Sequence, residues 1–175
     1  MKNQAGVTLL ELMITITVLG LLLGLGVPSF NNVVRNNRLA TQANELVTAL
    51  SLARSEANKR GLPVSVCVSS NGATCDAASP DWADGWIVFV DAGAAGAVDG
   101  TDEVLQVGRG LAAGYALEET EVGAAFIQFL PSGLAEPAAW RRLQLEWSAA
   151  PDGRRRCVSI APGGRVGTTR EACDA

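Results

Sequence analysis

Between Val7 and Phe30 the chain carries a single charge, Glu11, and the next charge is Arg35. An apolar run of about 20 residues is what a helix needs to span a bilayer. A carboxylate at its edge costs a few kcal/mol on insertion scales, so it marks a function by default. An ordinary secretory signal has a basic start, an apolar stretch of about 7–15 residues and a small-residue cleavage site at its far end. Lys2 supplies the basic start. The run is longer than that, Glu11 sits inside its front edge, and no Ala-x-Ala-like site follows. A plain single-span anchor would leave Glu11 unexplained.

The helical pattern continues beyond the apolar run. Leu39, Ala43, Leu46, Leu50, Ala53 and Ala57 recur at steps of four and three, while Arg38, Gln42, Glu45, Ser51, Arg54 and Glu56 occupy the other face. That is one apolar stripe for packing. Lys59 and Arg60 suit the negative end of a helix dipole. Gly61 supplies a C-cap and Pro63 prevents continuation. The spacing predicts one helix from Val7 to about Arg60, a rod of roughly 80 Å.

After Gly61 the periodicity changes to that of strands. Val64–Val68 alternates, Trp86–Val90 is a continuous apolar run, and Val104–Val107 is a weaker candidate. Ala125–Phe129 runs into a turn at Pro131-Ser132-Gly133. Arg142–Trp147 alternates and is joined through Pro151-Asp152-Gly153 to Arg155–Ile160, which predicts a hairpin. One helix followed by consecutive strands predicts an α+β fold, a long N-terminal helix packed on a mostly antiparallel sheet. The expected divisions are 7–30 for the membrane helix, 31–61 for its amphipathic continuation and 62–175 for a β-rich domain.

Cys67, Cys75, Cys157 and Cys173 all lie beyond the apolar run. An even number in an exported domain implies disulfides. Three pairings are open. The local pairs Cys67–Cys75 and Cys157–Cys173 are favoured, because each closes a loop with little core of its own. Zinc is disfavoured by the spacing and by the absence of histidine. The acids Asp91, Asp99, Asp102 and Glu103 lie among glycines and alanines and invite a calcium proposal. Gly93 and Ala95 occupy positions where an EF-hand needs oxygen ligands, so a solvated loop is expected and no metal or cofactor is called for. Without histidine there is neither a Ser-His-Asp nor a Cys-His arrangement, and no phosphate-binding Gly-Lys-Ser/Thr loop occurs. No enzyme is expected.

Residues 61–140 hold eleven acids and one base, Arg109, whereas residues 141–175 hold seven arginines and four acids. The basic end is either a partner surface or a solvated face balancing an acidic middle.

The string Gly6-Val7-Thr8-Leu9-Leu10-Glu11 resembles the processing site of type IV pilins and type II secretion pseudopilins. Later segments are similar to the FimT/GspH group of minor pilins and pseudopilins. These are Cys67, Cys75, Trp82 and Gly85–Asp91, then Phe129-Leu130-Pro131-Ser132-Gly133, and Ile160–Val166 followed by Cys173. The resemblance implies that residues 1–6 are a leader removed by a prepilin peptidase between Gly6 and Val7, with Val7 becoming a methylated N-terminus. Val7 departs from the usual phenylalanine or methionine. It implies that Glu11 pairs with the N-terminal amine of a neighbouring subunit and that Pro28 kinks or loosens the helix. The implied partners are other minor and major pilins or pseudopilins, the peptidase and the inner-membrane assembly platform. The implied location is the inner membrane, with a periplasmic domain, before assembly near a filament tip. Some FimT-type pilins bind DNA through a Gly-Arg-x-Arg motif. Here the corresponding site reads Gly164-Arg165-Val166-Gly167, with Arg170 nearby, and a literal match occurs at Gly153-Arg154-Arg155-Arg156. With Arg141 and Arg142 nearby in the hairpin, Arg154–Arg156 would form a patch, which makes DNA binding the alternative function; the other reading is that these arginines balance an acidic domain or contact neighbouring subunits.

Overall fold

The structure is a computed structural model. It describes residues 8–77, 81–100, 102–120, 125–148 and 154–173, with backbone alone over 25–29. One helix, α1, spans Leu9–Arg60. Its start is set by Thr8, whose Oγ1 accepts the Glu11 amide at 3.2 Å. That is half of a capping box, with the glutamate at the third helical position. Within the apolar run, Thr15 Oγ1 donates to the Leu12 carbonyl at 2.8 Å and Thr17 Oγ1 to Met13 at 2.7 Å. Both hydroxyls are thus satisfied inside the helix. The helix ends as expected, with Gly61 donating its amide to the Ala57 carbonyl at 3.0 Å. Its backbone is helical through Pro28. Among the described residues no helix is long and apolar enough to cross a membrane. The expected segment 7–30 includes residues outside that description.

The chain forms two units, residues 1–37 and 38–175. In the first, the described apolar side chains from Leu9 to Leu23 are exposed. The second holds every buried apolar residue among those described, from Leu39 onward. The helical stripe is buried as its periodicity predicts, with Ala49 added to it. Leu46 and Leu50 are fully buried, each contributing roughly 1.5–3 kcal/mol.

Among the described residues nine strands form two sheets, and every pairing is antiparallel. The first contains β1 (Val64–Val68), β2 (Gly85–Val90), β3 (Val104–Arg109), β5 (Phe126–Phe129) and β6 (Ala135–Glu136), in the order β3-β2-β1-β5-β6. The second contains β4 (Tyr115–Glu119), β7 (Arg141–Trp147), β8 (Arg155–Ile160) and β9 (Val166–Thr169), in the order β4-β7-β8-β9. The β7–β8 hairpin matches the expectation; its turn, residues 151–153, lies outside the described residues.

Side-chain alternation explains the burial. Val64, Val66 and Val68 join the helical stripe in one core, together with Leu117, Leu143, Leu145, Val158 and Ile160 of the second sheet. On the other face of the first sheet, Cys67, Ile87 and Phe89 pack with Cys75, Val98 and Phe126. Strands β1 and β2 are therefore buried at every residue.

Most of the acidic loop is exposed as expected, with residues 92–95, 97, 99, 100 and 103 open to solvent, but Asp91 departs from that expectation. Asp91 is only 2% exposed. Its Oδ2 accepts from Ser65 Oγ at 2.5 Å, Gln128 Nε2 at 2.9 Å and the Gly96 amide at 2.9 Å. Asp99 accepts the Ala94 amide, and Asp102 those of Ala92 and Asp99. The carboxylates hold the loop's own backbone, since a segment covering a sheet face must satisfy its amides. Among the described residues no group of three His, Cys, Asp or Glu is arranged to hold a metal.

Candidate functional site

Two of the turns repeat one design. Leu130-Pro131-Ser132-Gly133-Leu134 joins β5 to β6, and Ala161-Pro162-Gly163-Gly164-Arg165 joins β8 to β9. In each, the fourth residue donates its amide to the first carbonyl: Gly133 to Leu130 at 2.8 Å and Gly164 to Ala161 at 2.7 Å. In each, the first residue donates to the fifth: Leu130 to Leu134 and Ala161 to Arg165, both at 2.9 Å. Proline pre-sets the backbone of the second position, and glycine takes the left-handed fourth, with φ 80° at Gly133 and 74° at Gly164.

These turns belong to different sheets, yet they meet beneath the helix. Arg54 donates Nε to the Gly133 carbonyl at 3.0 Å and Nη2 to the Gly163 carbonyl at 3.1 Å. Ala135 donates its amide to the Pro162 carbonyl at 3.1 Å. A Cβ on Gly164 would overlap the Gly133 carbonyl oxygen, and one on Gly133 would meet Asn58 Oδ1 at 3.0 Å. Two of the segments carrying the family resemblance are therefore one structural junction, clamped by an arginine 79 residues before Gly133 and 109 before Gly163. No sequence pattern announces Arg54.

Beside the junction opens a cavity of about 340 Å³ lined by Ser51, Arg54, Ser55, Asn58, Gly164, Arg165 and Val166. Its walls offer two guanidinium groups, two hydroxyls and an amide, and no carboxylate. Arg165 is exposed and has no ion pair among the described residues.

The arginines singled out in the sequence do not form one patch. Thr169 pairs with Cys157 and Val166 with Ile160, so Arg170 and Arg165 flank opposite ends of β9. Arg165 joins Arg54; Arg170 follows the β9 end nearest the start of β8, where Arg154, Arg155 and Arg156 lie. Arg155 and Arg156 face opposite sides of the sheet. Arg155 Nε is 2.9 Å from Glu146 Oε2.

Arg141 departs from the expected patch altogether. Its side chain is 1% exposed, paired with Glu119 (2% exposed), and donates to the Phe126 carbonyl at 3.1 Å. A buried charge needs such partners. Arg142 lies over the Trp140 ring, 5.7 Å from its centroid.

The cysteines form Cys67–Cys75 and Cys157–Cys173, with Cα separations of 5.6 and 5.0 Å. The second ties the tail after β9 back to β8, and the Cys173 amide donates to Gln144 Oε1 at 3.3 Å. Beside the first, the Asp76 carboxylate accepts from the Ser70 hydroxyl at 2.7 Å and amide at 2.8 Å. Those hydrogen bonds hold the Asp76 carboxyl below the usual carboxylate range. At the other end of the chain, Glu11 is exposed in the first turn of α1. Gly6 and Val7 lie outside the described residues.

The fold has solved counterparts. The type IV minor pilin FimU of Pseudomonas aeruginosa superposes with a TM-score of 0.63 at 23% identity, covering 80% of this chain and 98% of that one. In a second crystal form FimU gives 0.60 at 21% identity, covering 78% and 100%. The minor pseudopilin EpsH from the type 2 secretion system of Vibrio cholerae gives 0.52 at 15% identity, covering 76% and 97%. Residues 1–27 match the prokaryotic N-terminal methylation motif. Residues 42–164 match the profile of type II transport protein GspH, so the chain belongs to the type II transport protein GspH family.

Proposed function

We propose that this protein is a non-enzymatic minor pilin or pseudopilin. It is held in the inner membrane with its β-rich domain in the periplasm and is assembled near the tip of a type II secretion pseudopilus or type IV pilus. There it supports protein secretion or pilus biogenesis. The observation that carries this reading is Glu11, five residues beyond Gly6 within the methylation motif and in the first turn of an apolar helix. Prepilin peptidase cleaves between Gly6 and Val7. The assembly platform then moves the helix from lipid into a bundle of like helices. Glu11 meets a neighbour's N-terminal amine there, because leaving either charge unpaired in an apolar bundle is strongly destabilising. The exposed side chains of Leu9–Leu23 are those a bundle buries, and the internally bonded Thr15 and Thr17 ask nothing of such surroundings. Intact-mass analysis after co-expression with prepilin peptidase tests this. The expected product begins at Val7; a chain that keeps residues 1–6 or is cut elsewhere overturns it.

A second reading is DNA binding during natural transformation. One observation favours it: the β8–β9 pairing and the Cys157–Cys173 bond bring exposed Arg170 toward Arg154, Arg155 and Arg156. Arginines that neutralise phosphates release counterions, so binding must weaken steeply with salt. Micromolar binding by the detergent-solubilised chain, lost when Arg154–Arg156 and Arg170 become glutamine, supports it. No binding even at low salt removes it.

A further inference from the structure

We infer that the cavity between Arg54 and Arg165 receives a carboxylate side chain, an exposed aspartate or glutamate, from a neighbouring pilin-type subunit. This rests on the assembly reading above, since it requires a neighbour. Of the lining side chains, Arg54 and Arg165 are cationic, Ser51, Ser55 and Asn58 are donors, and no acid neutralises them. Arg54 is already oriented. Two of its nitrogens hold the twin turns, which fixes the guanidinium plane of a residue that lines the cavity. Arg165 ends a turn closed by the Ala161 amide donating to the Arg165 carbonyl, so the Arg165 backbone is set while its side chain stays exposed. One guanidinium held in place, with a second, exposed arginine lining the same cavity, suits a carboxylate.

The size and isolation of the site favour a side chain over a nucleic-acid strand. A cavity of about 340 Å³ admits one acidic side chain with its water. A strand needs a succession of cations along its phosphates, and the next exposed arginine in the chain, Arg170, lies beyond the far end of β9. That is roughly 16 Å away at the rise of a strand. Charge complementarity points the same way: residues 61–140 of this chain hold eleven acids against one arginine, so a subunit with a similar middle presents many carboxylates.

The test uses the full chain in cells assembling the filament. A photo-crosslinking residue replaces Ser55 at the cavity wall, and the crosslinked peptide is identified by mass spectrometry. The expected product joins this chain to another subunit within a segment containing an aspartate or glutamate. Arg165→Asp lowers its yield about tenfold, the effect of some 1.4 kcal/mol, and converting that partner acid to arginine restores it. Arg165 is exposed, so an unchanged melting temperature separates this from misfolding. A protein present in sheared filaments with no subunit crosslink, or with one indifferent to Arg165→Asp, overturns the inference and leaves the assembly reading standing. A crosslink to nucleic acid also overturns it. Absence from sheared filaments overturns both.

Discussion

Replacing Gly164 with alanine tests whether the two turns are one junction. Two effects add. An L-residue at φ 74° pays about 1–2 kcal/mol for the left-handed backbone. The new methyl also overlaps the Gly133 carbonyl oxygen, so the turns must separate. That carbonyl accepts from Arg54 at 3.0 Å, and the Ala135 amide donates across the same seam at 3.1 Å. Losing a charge-assisted hydrogen bond removes about 1.5–3 kcal/mol and a neutral one about 1. The total is about 4–6 kcal/mol. Gly61→Ala is the control: its φ is 67° but a Cβ there meets nothing within 4 Å. It should lose only the backbone share. The readout is urea unfolding of the unit 38–175, which holds the described core. Equal losses in the two variants would refute the junction.

Reducing the disulfides should destabilise this unit. The Cys157–Cys173 bond closes a separation of 16 residues, for which chain entropy gives about 3 kcal/mol; an unchanged unfolding midpoint in dithiothreitol contradicts this. Arg141→Met strands the buried Glu119 and should cost about 3–5 kcal/mol, whereas Arg141→Met with Glu119→Leu should recover most of it. A double variant no better than the single one would show that packing, not charge, explains the loss. Asp76 is held below the usual carboxylate range by Ser70 and Glu56 by Arg60 and Lys59, so both favour folding at neutral pH. Their contribution is complete above the usual carboxylate range and is lost as pH falls below it, through their lowered folded-state values. In an NMR titration Ser70→Ala should move the Asp76 midpoint upward toward its ordinary value; an unmoved midpoint would reject Ser70 as the cause.

Much of this architecture was legible in the residues. The stripe from Leu39 to Ala57 and the alternation in β1 and β7 report burial directly, because helix and strand each repeat with one period. Strand β2 was legible as a continuous apolar run because both its faces are covered. Strands β4, β6 and β9 were not. Tyr115–Glu119 presents only two large apolar residues, Ala135–Glu136 is too short for a period, and Val166–Thr169 offers one apolar side chain at a sheet edge. The division into two sheets also escapes a linear reading, since it depends on β1 pairing β5 rather than β4. The arginines show the limit most clearly. Whether the seven near the C-terminus converge is not legible in a linear reading: pairing sends Arg141 into the core, Arg155 to Glu146 and Arg165 to the helix. Arg54, which anchors the junction, looked like an ordinary polar-face residue.

The central claim is that Glu11 drives assembly rather than membrane retention. The most direct measurement is the amount of wild-type and Glu11→Ala protein in membrane and sheared-filament fractions of the same cells. The account predicts equal membrane levels and a marked loss of the variant from the filament fraction. Equal recovery of the two proteins in sheared filaments would contradict it.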